Sequence, residues 1–403
     1  MSKLDKLLRE LCPDGVKYKK LVDAVSIERG KRVVRSQLSI RGKYPVYQNS
    51  LTPLGYHTDY NYNANTTFII VAGAAGEIGF SDKAFWAADD CFTVVCPENV
   101  LNRYIYHLLL NNQNQLASKV RKASIPRLSR SAIENLVIPI PPLDVQCEIV
   151  RILDNFTNLT AELTAELTAR KTQYAYYRDK LLKAETNAHK YKLGEIATVT
   201  KLAGFEFTNY VTYSENGNII ALRGLNVKNG RLDLHDVKYV DKSDFSKLER
   251  SKLHIGDMLF TYVGTVGQVA IVDEEDKYYL APNVALIRCD KEVLLPQYMK
   301  YYFQTTRFWD KQIRRLLQSS SMQNIPMEKI RKFEIAVPPL DVQNRIVNVL
   351  DNFEKICSDL NIGLPAEIEA RQKQYEYYRD KLLTFVETGN TILSRAEQSR
   401  AEH

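Results

Sequence analysis

The sequence lacks the features that mark membrane, secreted and metal-binding proteins. No run approaches the ~18 consecutive apolar residues that a membrane-spanning helix needs. The first residues, Met1-Ser-Lys-Leu-Asp-Lys, contain no apolar stretch of the kind found in secretion signals. The six cysteines are scattered without a Cys-x-x-Cys pair, and no histidine near them has zinc-ligand spacing. We therefore expect a cytoplasmic protein with reduced cysteines, no membrane contact and no bound metal.

Signatures of nucleotide-driven and methyl-transferring enzymes are also missing. There is no Gly-x4-Gly-Lys-Ser/Thr phosphate loop, no Asn-Pro-Pro-Tyr or Asp-Pro-Pro-Tyr element, and neither Gly-x-Ser-x-Gly nor His-Glu-x-x-His. The acidic run from Asp273 to Lys277 contains possible magnesium ligands, but a solvated hairpin turn is the favoured interpretation. We predict no catalytic residue and a protein that binds rather than reacts.

The composition fits a folded chain with a polyanionic partner. With 403 residues, 45% of them hydrophobic and 26% charged, the chain is long enough for two globular cores. A net charge of +7 suits a nucleic acid, although many soluble proteins carry as much charge without binding one. Charge alone therefore supports DNA binding only weakly.

The most informative feature present is a tandem repeat. The hexapeptide Pro-Pro-Leu-Asp-Val-Gln occurs at Pro141–Gln146 and at Pro338–Gln343, an offset of 197 residues. The pattern Gln-Tyr-x-Tyr-Tyr-Arg-Asp-Lys-Leu-Leu occurs at Gln173–Leu182 and at Gln374–Leu383, an offset of 201, so the second copy has four extra residues in between. Because Leu4–Leu8 resembles the end of the second pattern, the repeat is circular and predicts a pseudo-two-fold arrangement.

Between these blocks the two halves are only faintly alike. Gly73–Gly79 resembles Gly264–Val269, and Asn99–Tyr106 resembles Glu292–Met299. One interpretation is that the repeated blocks perform one shared task while the globular parts recognise different things. Uneven drift after a duplication is the alternative.

A long helix follows each proline pair. After Pro142, apolar or aromatic residues recur every three or four positions as far as Leu181, which predicts a rod of ~60 Å. The second copy meets Asn361–Pro365, which should stop or bend it. The two rods are expected to pack as an antiparallel pair, and separate docking of each helix on its own domain is the alternative.

The sequence thus predicts a mixed α/β (α+β) fold with two globular domains separated by two long antiparallel helices, a coiled-coil-like spacer. The predicted divisions are a first domain at 1–140, a central helix at 141–186, a second domain at 187–337, a C-terminal helix at 338–386 that is kinked near 361–365, and a tail at 387–403. Predicted strands are Thr67–Ala72, Cys91–Val95, Asp257–Val263 and Val284–Ile287, and predicted helices are Leu101–Leu116 and Leu295–Leu317.

Candidate DNA-reading residues combine amides or fork-like donors, which can reach base edges, with cations that hold phosphates. In the first globular part they are Lys31, Arg32, Arg35, Lys43, Gln48, Asn49, Lys119, Arg121, Lys122 and Arg127. In the second they are Arg223, Tyr262, Thr265, Gln268, Arg314, Arg315, Gln318, Ser320, Gln323 and Asn324. The glycines of both halves would let backbone approach a phosphate closely. For any one cluster, an ordinary solvated surface is the alternative.

The repeated blocks supply candidate contacts on the spacer helices and with partner proteins. They are Leu143, Gln146, Tyr174, Tyr177 and Arg178 in the first copy, and Leu340, Gln343, Tyr375, Tyr378 and Arg379 in the second. The tyrosines have side chains able to stack on bases, but their helical spacing favours packing and partner contact.

Taken together, the duplicated blocks and the two divergent globular parts resemble the specificity subunits of Type I restriction-modification systems. The resemblance covers essentially the whole chain. It implies a bipartite, asymmetric target in double-stranded DNA, with one half-site per target-recognition domain and a spacer set by the helices. It also implies two methyltransferase subunits and restriction subunits as partners, which would hold S-adenosylmethionine, ATP and magnesium, so that this chain binds no cofactor. The resemblance identifies no individual base-contacting residue.

Two rival interpretations stay open. One is a protein-interaction scaffold built from a tandem repeat that never binds DNA. The other is an enzyme with an unfamiliar site, which the missing motifs disfavour. Salt-dependent binding to duplex DNA would separate the first from a DNA reader, because phosphate neutralisation makes affinity fall steeply with ionic strength.

Overall fold

The computed structural model describes residues 2–39, 41–183, 188–317, 323–358 and 363–385. The chain divides into two compact units, unit 1 (Met1–Thr164 with Glu367–His403) and unit 2 (Ala165–Ala366). Helices and strands alternate in both, as the sequence predicts. Among the described residues, no helix is long and apolar enough to cross a membrane.

Unit 1 contains two small sheets and a ribbon. Its strands are β1 (Tyr18–Lys20), β2 (Ser26–Arg29), β3 (Tyr44–Tyr47), β4 (Gly55–His57), β5 (Thr66–Ile70), β6 (Ile78–Ser81), β7 (Trp86–Ala87), β8 (Cys91–Val95) and β9 (Val137–Pro139). Its shorter helices are α1 (Lys3–Leu11), α2 (Leu21–Ala24), α3 (Asn102–Asn111), α4 (Gln113–Ser118) and α5 (Arg130–Glu134). The sheet orders are β2-β8-β5-β6 and β4-β3-β7, and β1 pairs with β9.

The four-stranded sheet is covered on both faces. Phe68 and Ile70 of β5 belong to a small cluster with Phe85, whereas Ile69 belongs to the main core with Tyr104 of α3. Successive side chains of a strand point to opposite faces, so a continuous apolar run fits a strand buried on both sides. This explains why polar and apolar residues do not alternate in the predicted strand Thr67–Ala72.

Unit 2 has the same sheet topology. Its strands are β10 (His189–Lys192), β11 (Ala197–Lys201), β12 (Ile220–Leu222), β13 (Val227–Lys228), β14 (Arg231–Leu232), β15 (Lys238–Tyr239), β16 (Met258–Thr261), β17 (Val269–Ile271), β18 (Tyr278–Leu280), β19 (Val284–Cys289) and β20 (Glu334–Val337). The orders β11-β19-β16-β17 and β15-β12-β18 reproduce those of unit 1, and β10 pairs with β20 as β1 does with β9. The globular parts therefore share one architecture despite their faint sequence likeness, and β13-β14 is an added hairpin.

The helices of unit 2 are α7 (Leu193–Ile196), α8 (Gly204–Tyr210), α9 (Pro296–Phe303), α10 (Thr306–Phe308), α11 (Arg314–Leu317), α12 (Met327–Ile330) and α13 (Leu340–Ser358). The predicted helix Leu295–Leu317 is broken, because the Thr305 hydroxyl accepts the Phe308 N–H and starts α10, and a π-helical turn follows at Trp309–Ile313. Likewise Leu101–Leu116 is interrupted at Asn112, whose amide donates to the Leu108 carbonyl.

The long helices carry the repeat. The central helix α6 runs unbroken over Leu143–Leu181, or 39 residues, and contributes to both units. In the second copy α13 ends at Ser358 and α14 spans Leu364–Leu383, while residues 359–362 lie outside the described part. The predicted tail at 387–403 also lies outside it.

A buried glutamine anchors α6 to the first globular part. The Gln146 Oε1 accepts the Leu101 N–H (2.9 Å), and its Nε2 donates to the carbonyls of Asn99 (3.1 Å) and Pro141 (2.8 Å). These bonds satisfy the side-chain amide and one of the free N–H groups at the start of α3. The glutamine thereby fixes where α3 begins relative to α6.

Gln343 makes the matching joint in unit 2. It accepts the Leu295 N–H (2.9 Å) and donates to the carbonyls of Val293 (2.8 Å) and Pro338 (2.8 Å). Both glutamine side chains are fully buried. The prediction that Gln146 and Gln343 contact a partner protein is therefore wrong, because each is saturated by bonds inside its own unit.

Candidate nucleic-acid interface

The same glycine turn closes the corresponding hairpin in each unit. Gly73 to Gly76 joins β5 to β6, and Gly264 to Gly267 joins β16 to β17. All four glycines have φ between 78° and 95°, the left-handed region that favours glycine. The Gly76 N–H donates to Ile70, and the Gly267 N–H to Thr261, at 2.8 and 2.9 Å. The faint sequence match between the halves thus marks one shared backbone turn.

In unit 1 the turn lies against the residues that follow β3. The Ala74 N–H donates to the Asn49 carbonyl (3.0 Å), and a Cβ on Gly73 would lie 2.9 Å from that same oxygen. Asn49 is exposed and Gln48 is half-buried. The structure therefore brings Asn49 to the glycine turn, with Gln48 next to it in the chain.

The basic loop of unit 1 docks on the other side of this turn. The Gly73 N–H donates to the Pro126 carbonyl (3.2 Å), and Arg121 and Arg127 close the loop through a pair of backbone hydrogen bonds. Lys119, Arg121, Lys122 and Arg127 are exposed. We call Gln48, Asn49, the turn at 73–76 and the loop at 119–127 turn cluster 1.

The other cations of unit 1 are not part of turn cluster 1. Lys31, Arg32 and Arg35 are exposed on the segment after β2, where the Lys31 N–H donates to Ala87 of the three-stranded sheet. Lys43 precedes β3, whereas Gln48 follows it, so they stand at opposite ends of one strand.

In unit 2 the equivalent turn borders a groove of about 700 Å³. Arg223 follows β12 just as Gln48 follows β3, and its guanidinium donates to the Asp236 carboxylate (2.8 Å). Thr265 is exposed at the turn, and the Gln268 amide oxygen accepts the Asn229 N–H (3.0 Å). Arg223, Thr265 and Gln268, three of the predicted DNA-reading residues, all line this groove.

The segment after the helices completes this second site. The Gly264 N–H donates to the Gln323 carbonyl (3.0 Å), which matches the bond from Gly73 to Pro126, and the backbone of Asn324 pairs with Val263. Both side chains are exposed. We call Arg223, the turn at 264–267, Gln268, Gln323 and Asn324 turn cluster 2.

The remaining predicted residues of unit 2 lie in different places. Tyr262 is 8% exposed, so its ring packs in the core and the prediction that it reads DNA is wrong. Arg314 pairs with Asp310 (3.1 Å) and lines a groove beside Gly267. Arg315 lines a separate cavity. Gln318 and Ser320 lie outside the described residues.

Sequence reasoning missed two asparagines of the groove. Asn229 and Asn283 line it and have φ of 50° and 70°. Asparagine tolerates the left-handed region better than most residues, so an Asn-Gly pair such as Asn229-Gly230 is a turn signal. That signal was present in the sequence and points to the β13-β14 hairpin.

Comparisons with known proteins settle the family. The family model for the Type I restriction modification DNA specificity domain matches residues 13–170 and 185–370. The chain is 31% identical to a putative type I restriction enzyme specificity subunit of Haemophilus influenzae over 95% of this chain and 98% of that one. This chain belongs to the Type I restriction-modification specificity family.

Further relatives agree with this assignment. The specificity subunit of the Escherichia coli enzyme EcoR124I/EcoR124II is 33% identical, over 76% of this chain and 77% of that one. The crystal structure of a Type I restriction-modification S subunit from M. genitalium matches with a TM-score of 0.60 at 14% identity, covering 93% and 98% of the two chains. The predicted fold class and the prediction of a specificity subunit with two target-recognition domains are confirmed, and the scaffold alternative falls.

The tyrosines of this specificity subunit have two different environments. In unit 1, Tyr375 and Tyr378 are 8% and 6% exposed, and Tyr378 stacks on Phe156 with ring centroids 5.3 Å apart. In unit 2, Tyr177 stacks on Phe353 at 5.9 Å and is 37% exposed. Tyr375 and Tyr378 therefore pack inside unit 1, which is the packing role that their helical spacing favours, and they present no surface to a partner.

The other repeat-block residues lie on or near the helix surface. Arg178 and Arg379 pair with the neighbouring Asp179 and Asp380, Leu143 is exposed, and Tyr174 and Leu340 are half-buried. The most exposed tyrosines of the blocks are Tyr176 (60%) and Tyr377 (44%), which the sequence did not single out. They occupy matching repeat positions, so each helix presents a tyrosine outward at the same place.

A buried polar cluster joins the first recognition domain to the helices. The His107 Nδ1 lies 3.0 Å from the Tyr375 hydroxyl, and its Nε2 lies 2.9 Å from Asp154, which Arg103 also contacts at 2.8 Å. Burial lowers the pKa of His107 despite the opposing effect of Asp154. Burial alone would raise the pKa of Asp154, but hydrogen bonds from His107 and Arg103 hold it below its ordinary value.

Unit 2 makes the corresponding joint with different residues. Tyr301 donates hydrogen bonds to Asp351 and Glu354, and Lys300 pairs with Glu354 at 2.8 Å. Burial, reinforced by the nearby carboxylates, raises the pKa of the Tyr301 hydroxyl.

The acidic run predicted as a turn connects β17 to β18, where Glu274 pairs with Lys277 (2.5 Å) and Asp276 with Lys252 (2.6 Å).

Proposed function

We propose that each recognition domain reads one half of a bipartite, asymmetric DNA target through its turn cluster. The observation that supports this most is that the two units share a backbone conformation at the glycine turn but have different side chains beside it. The two glycines of each turn make matching backbone hydrogen bonds, but Gln48 and Asn49 follow β3 in unit 1 where Arg223 and Gly224 follow β12 in unit 2. Amides pair well with adenine and arginine with guanine in the major groove. Different half-sites follow from this difference.

The basic loop at 119–127 has a separate role in this proposal. Lys119, Arg121, Lys122 and Arg127 hold phosphates and carry no sequence information, whereas the amides discriminate bases. Replacing one of these cations should weaken binding to all sequences alike and lower the salt dependence by roughly one phosphate contact.

Mapping of methylated motifs tests the assignment of half-sites. Cells carrying the complete system with Asn49→Ala should show relaxed discrimination in the first half-site only, and cells with Gln323→Ala in the second only. A lost bidentate pair relaxes discrimination by ~1–3 kcal/mol. The exposed Gln372→Ala on α14 is the matched control. Loss of discrimination in both half-sites from one variant, or in neither, contradicts the proposal.

We further propose that the long helices hold the partners and set the spacer. Two methyltransferase subunits would contact the outward tyrosines Tyr176 and Tyr377, and restriction subunits would join the complex in the cytoplasm. S-adenosylmethionine, ATP and magnesium would bind to these partners, so this chain would hold no cofactor and catalyse nothing. The recognition domains are taken as 1–140 and 187–337.

The partner proposal has its own test. Double replacement Tyr176→Ala with Tyr377→Ala should reduce co-purification of the methyltransferase subunit while leaving the thermal unfolding of the chain unchanged. Phe205→Ala, which removes an aromatic ring that is 62% exposed outside the long helices, is the control. Unchanged co-purification in the double variant would refute a role for these two tyrosines.

A further inference from the structure

A basic cavity of about 520 Å³ lies on another side of the α10–α11 region from the grooves of turn cluster 2. The end of α6, the β10-β20 ribbon and helices α9 to α11 form its walls. Arg314 lines the groove beside Gly267, whereas the next residue, Arg315, lines this cavity. Trp309, whose ring would lie 2.4 Å from a Cβ on Gly267, faces the turn. The cavity is thus distinct from the DNA-reading site.

The cavity concentrates positive charge. Six cations line it, namely Lys183, Lys190, Arg307, Lys311, Arg315 and Lys332. Within the described parts of the chain, none of the six forms an ion pair with a carboxylate. Of the two acids in the lining, Asp179 is bound by Arg178 (2.9 Å) and by the Thr306 N–H (3.2 Å), and the other is Glu334. Like charges around a concave wall focus the electrostatic potential and attract anions.

The fold itself does not require two of these six cations. The buried glutamines fix Leu101 and Leu295 as equivalent starting points of the two domain helices. At the same distances in sequence from these points, unit 1 has Gln113 and Ala117 where unit 2 has Arg307 and Lys311. Since unit 1 forms the same joint without these cations, their presence in unit 2 needs a separate explanation.

Size and lining indicate the kind of anion. About 520 Å³ falls within the range of small-molecule sites, roughly 300–1,000 Å³. Leu182, Tyr302 and Phe308 give the cavity apolar wall area between the cations. Arginine and lysine are the usual ligands of phosphate groups, and a concave site favours a compact anion over the convex backbone of a duplex. We infer that this cavity binds a polyphosphate group, from a nucleoside triphosphate or an inorganic polyphosphate, as a ligand that takes part in no reaction on this chain and in addition to the ATP proposed for the partners.

Isothermal titration calorimetry on the full chain in its methyltransferase complex tests this inference. Sodium tripolyphosphate is the probe, and sulfate is the reference anion whose affinity is compared with it. Removing two contacting cations in Arg307→Gln with Lys311→Gln should weaken tripolyphosphate binding at least tenfold, because hydrogen bonds to charged groups are individually strong. Arg314→Gln with Lys329→Gln removes the same charge outside the cavity and should change the affinity less than threefold. Unchanged thermal unfolding of both variants shows that they fold.

The remaining outcomes distinguish a nucleotide from a phosphate chain alone, and both of these from a contact with the DNA backbone. ATP binding more tightly than tripolyphosphate assigns the site to a nucleotide, and equal affinities assign it to the phosphate chain alone. Equal losses in the two double variants, or tripolyphosphate binding no tighter than sulfate, overturn the inference. If the unmodified protein does not bind tripolyphosphate and the cavity variant binds duplex DNA more weakly than it does, the inference is also overturned. The cavity is then a contact for the DNA backbone.

Discussion

Inserting one more Thr-Ala-Glu-Leu after Leu167 should lengthen the DNA spacer while leaving both half-sites unchanged. Thr160 to Leu167 already holds this tetrapeptide twice within the unbroken helix α6. The hydroxyls of Thr160 and Thr164 donate to carbonyls four residues earlier, at 2.9 and 2.7 Å, and the glutamates are exposed. A third copy therefore repeats a pattern that the helix already accommodates.

The helix geometry gives the size of the effect. Four residues add ~6 Å of length and a rotation ~40° beyond a full turn. A base pair adds ~3.4 Å of length and a rotation of ~35°, given 10–10.5 base pairs per turn. The added length matches nearly two base pairs, but the added rotation matches one. Because a recognition domain must face the DNA groove, the rotation should decide how many base pairs are added to the spacer. We therefore expect the spacer to lengthen by one base pair.

The second copy indicates that this length is tolerated. Sixteen residues separate Phe156 from Gln173, whereas twenty separate Phe353 from Gln374, so the insertion makes the two copies equal. Methylome sequencing of cells carrying the variant and its partners measures the spacer, and Glu166→Gln is a control that keeps the length. An unchanged spacer, or altered half-site bases, would show that α6 does not set the distance.

Three further predictions concern the joints and the turn. Gln146→Ala should lower the free energy of unfolding by about 2–4 kcal/mol in denaturant titrations, because it leaves buried backbone groups unpaired, while the exposed Gln372→Ala should change it little. Gly267→Ala should weaken DNA binding, since a Cβ would lie 2.4 Å from Trp309 at a φ of 87°, and Gly204→Ala, with open space around it, should not. Burial depresses the pKa of His107, so its contribution to stability is present above its ordinary pKa near ~6.5 and is lost as pH falls below that value. His107→Gln should therefore flatten the pH dependence of unfolding in that window, and an unchanged slope would show that His107 does not titrate there.

Local sequence patterns predicted the elements well. The proline pair and the apolar seam predicted a helix to Leu181, and α6 spans Leu143–Leu181, because both signals depend on residues close in sequence. The predicted strand at Cys91–Val95 coincides with β8. Helix breaks at Asn112 and Thr305 were missed, since they depend on single side chains that bond to the backbone.

Long-range pairing could not be predicted in the same way. β3 pairs with β7 in parallel across a long stretch of chain, and this pairing makes the two domains alike where their sequences differ. The exposure of each tyrosine also depends on which helix packs beside it, so Tyr375 is buried while Tyr176 is exposed. Of the candidate site, the sequence indicated most polar residues of the turn clusters but wrongly included Tyr262, which directly follows β16 and has its ring in the core.

The joints and the turn clusters separate two tasks that must vary independently. The hexapeptide ends in a glutamine that is fully buried and bonded to three backbone groups, so its replacement disturbs the fold. Asn49 and Gln323 are exposed beside glycine turns, and each accepts a hydrogen bond from its turn through its backbone carbonyl. Exposed substitutions usually change stability by less than about 0.5 kcal/mol. Under the proposed function, a change of DNA target therefore needs only residues whose replacement the fold tolerates, while the joint between each recognition domain and its helix depends on residues that it does not.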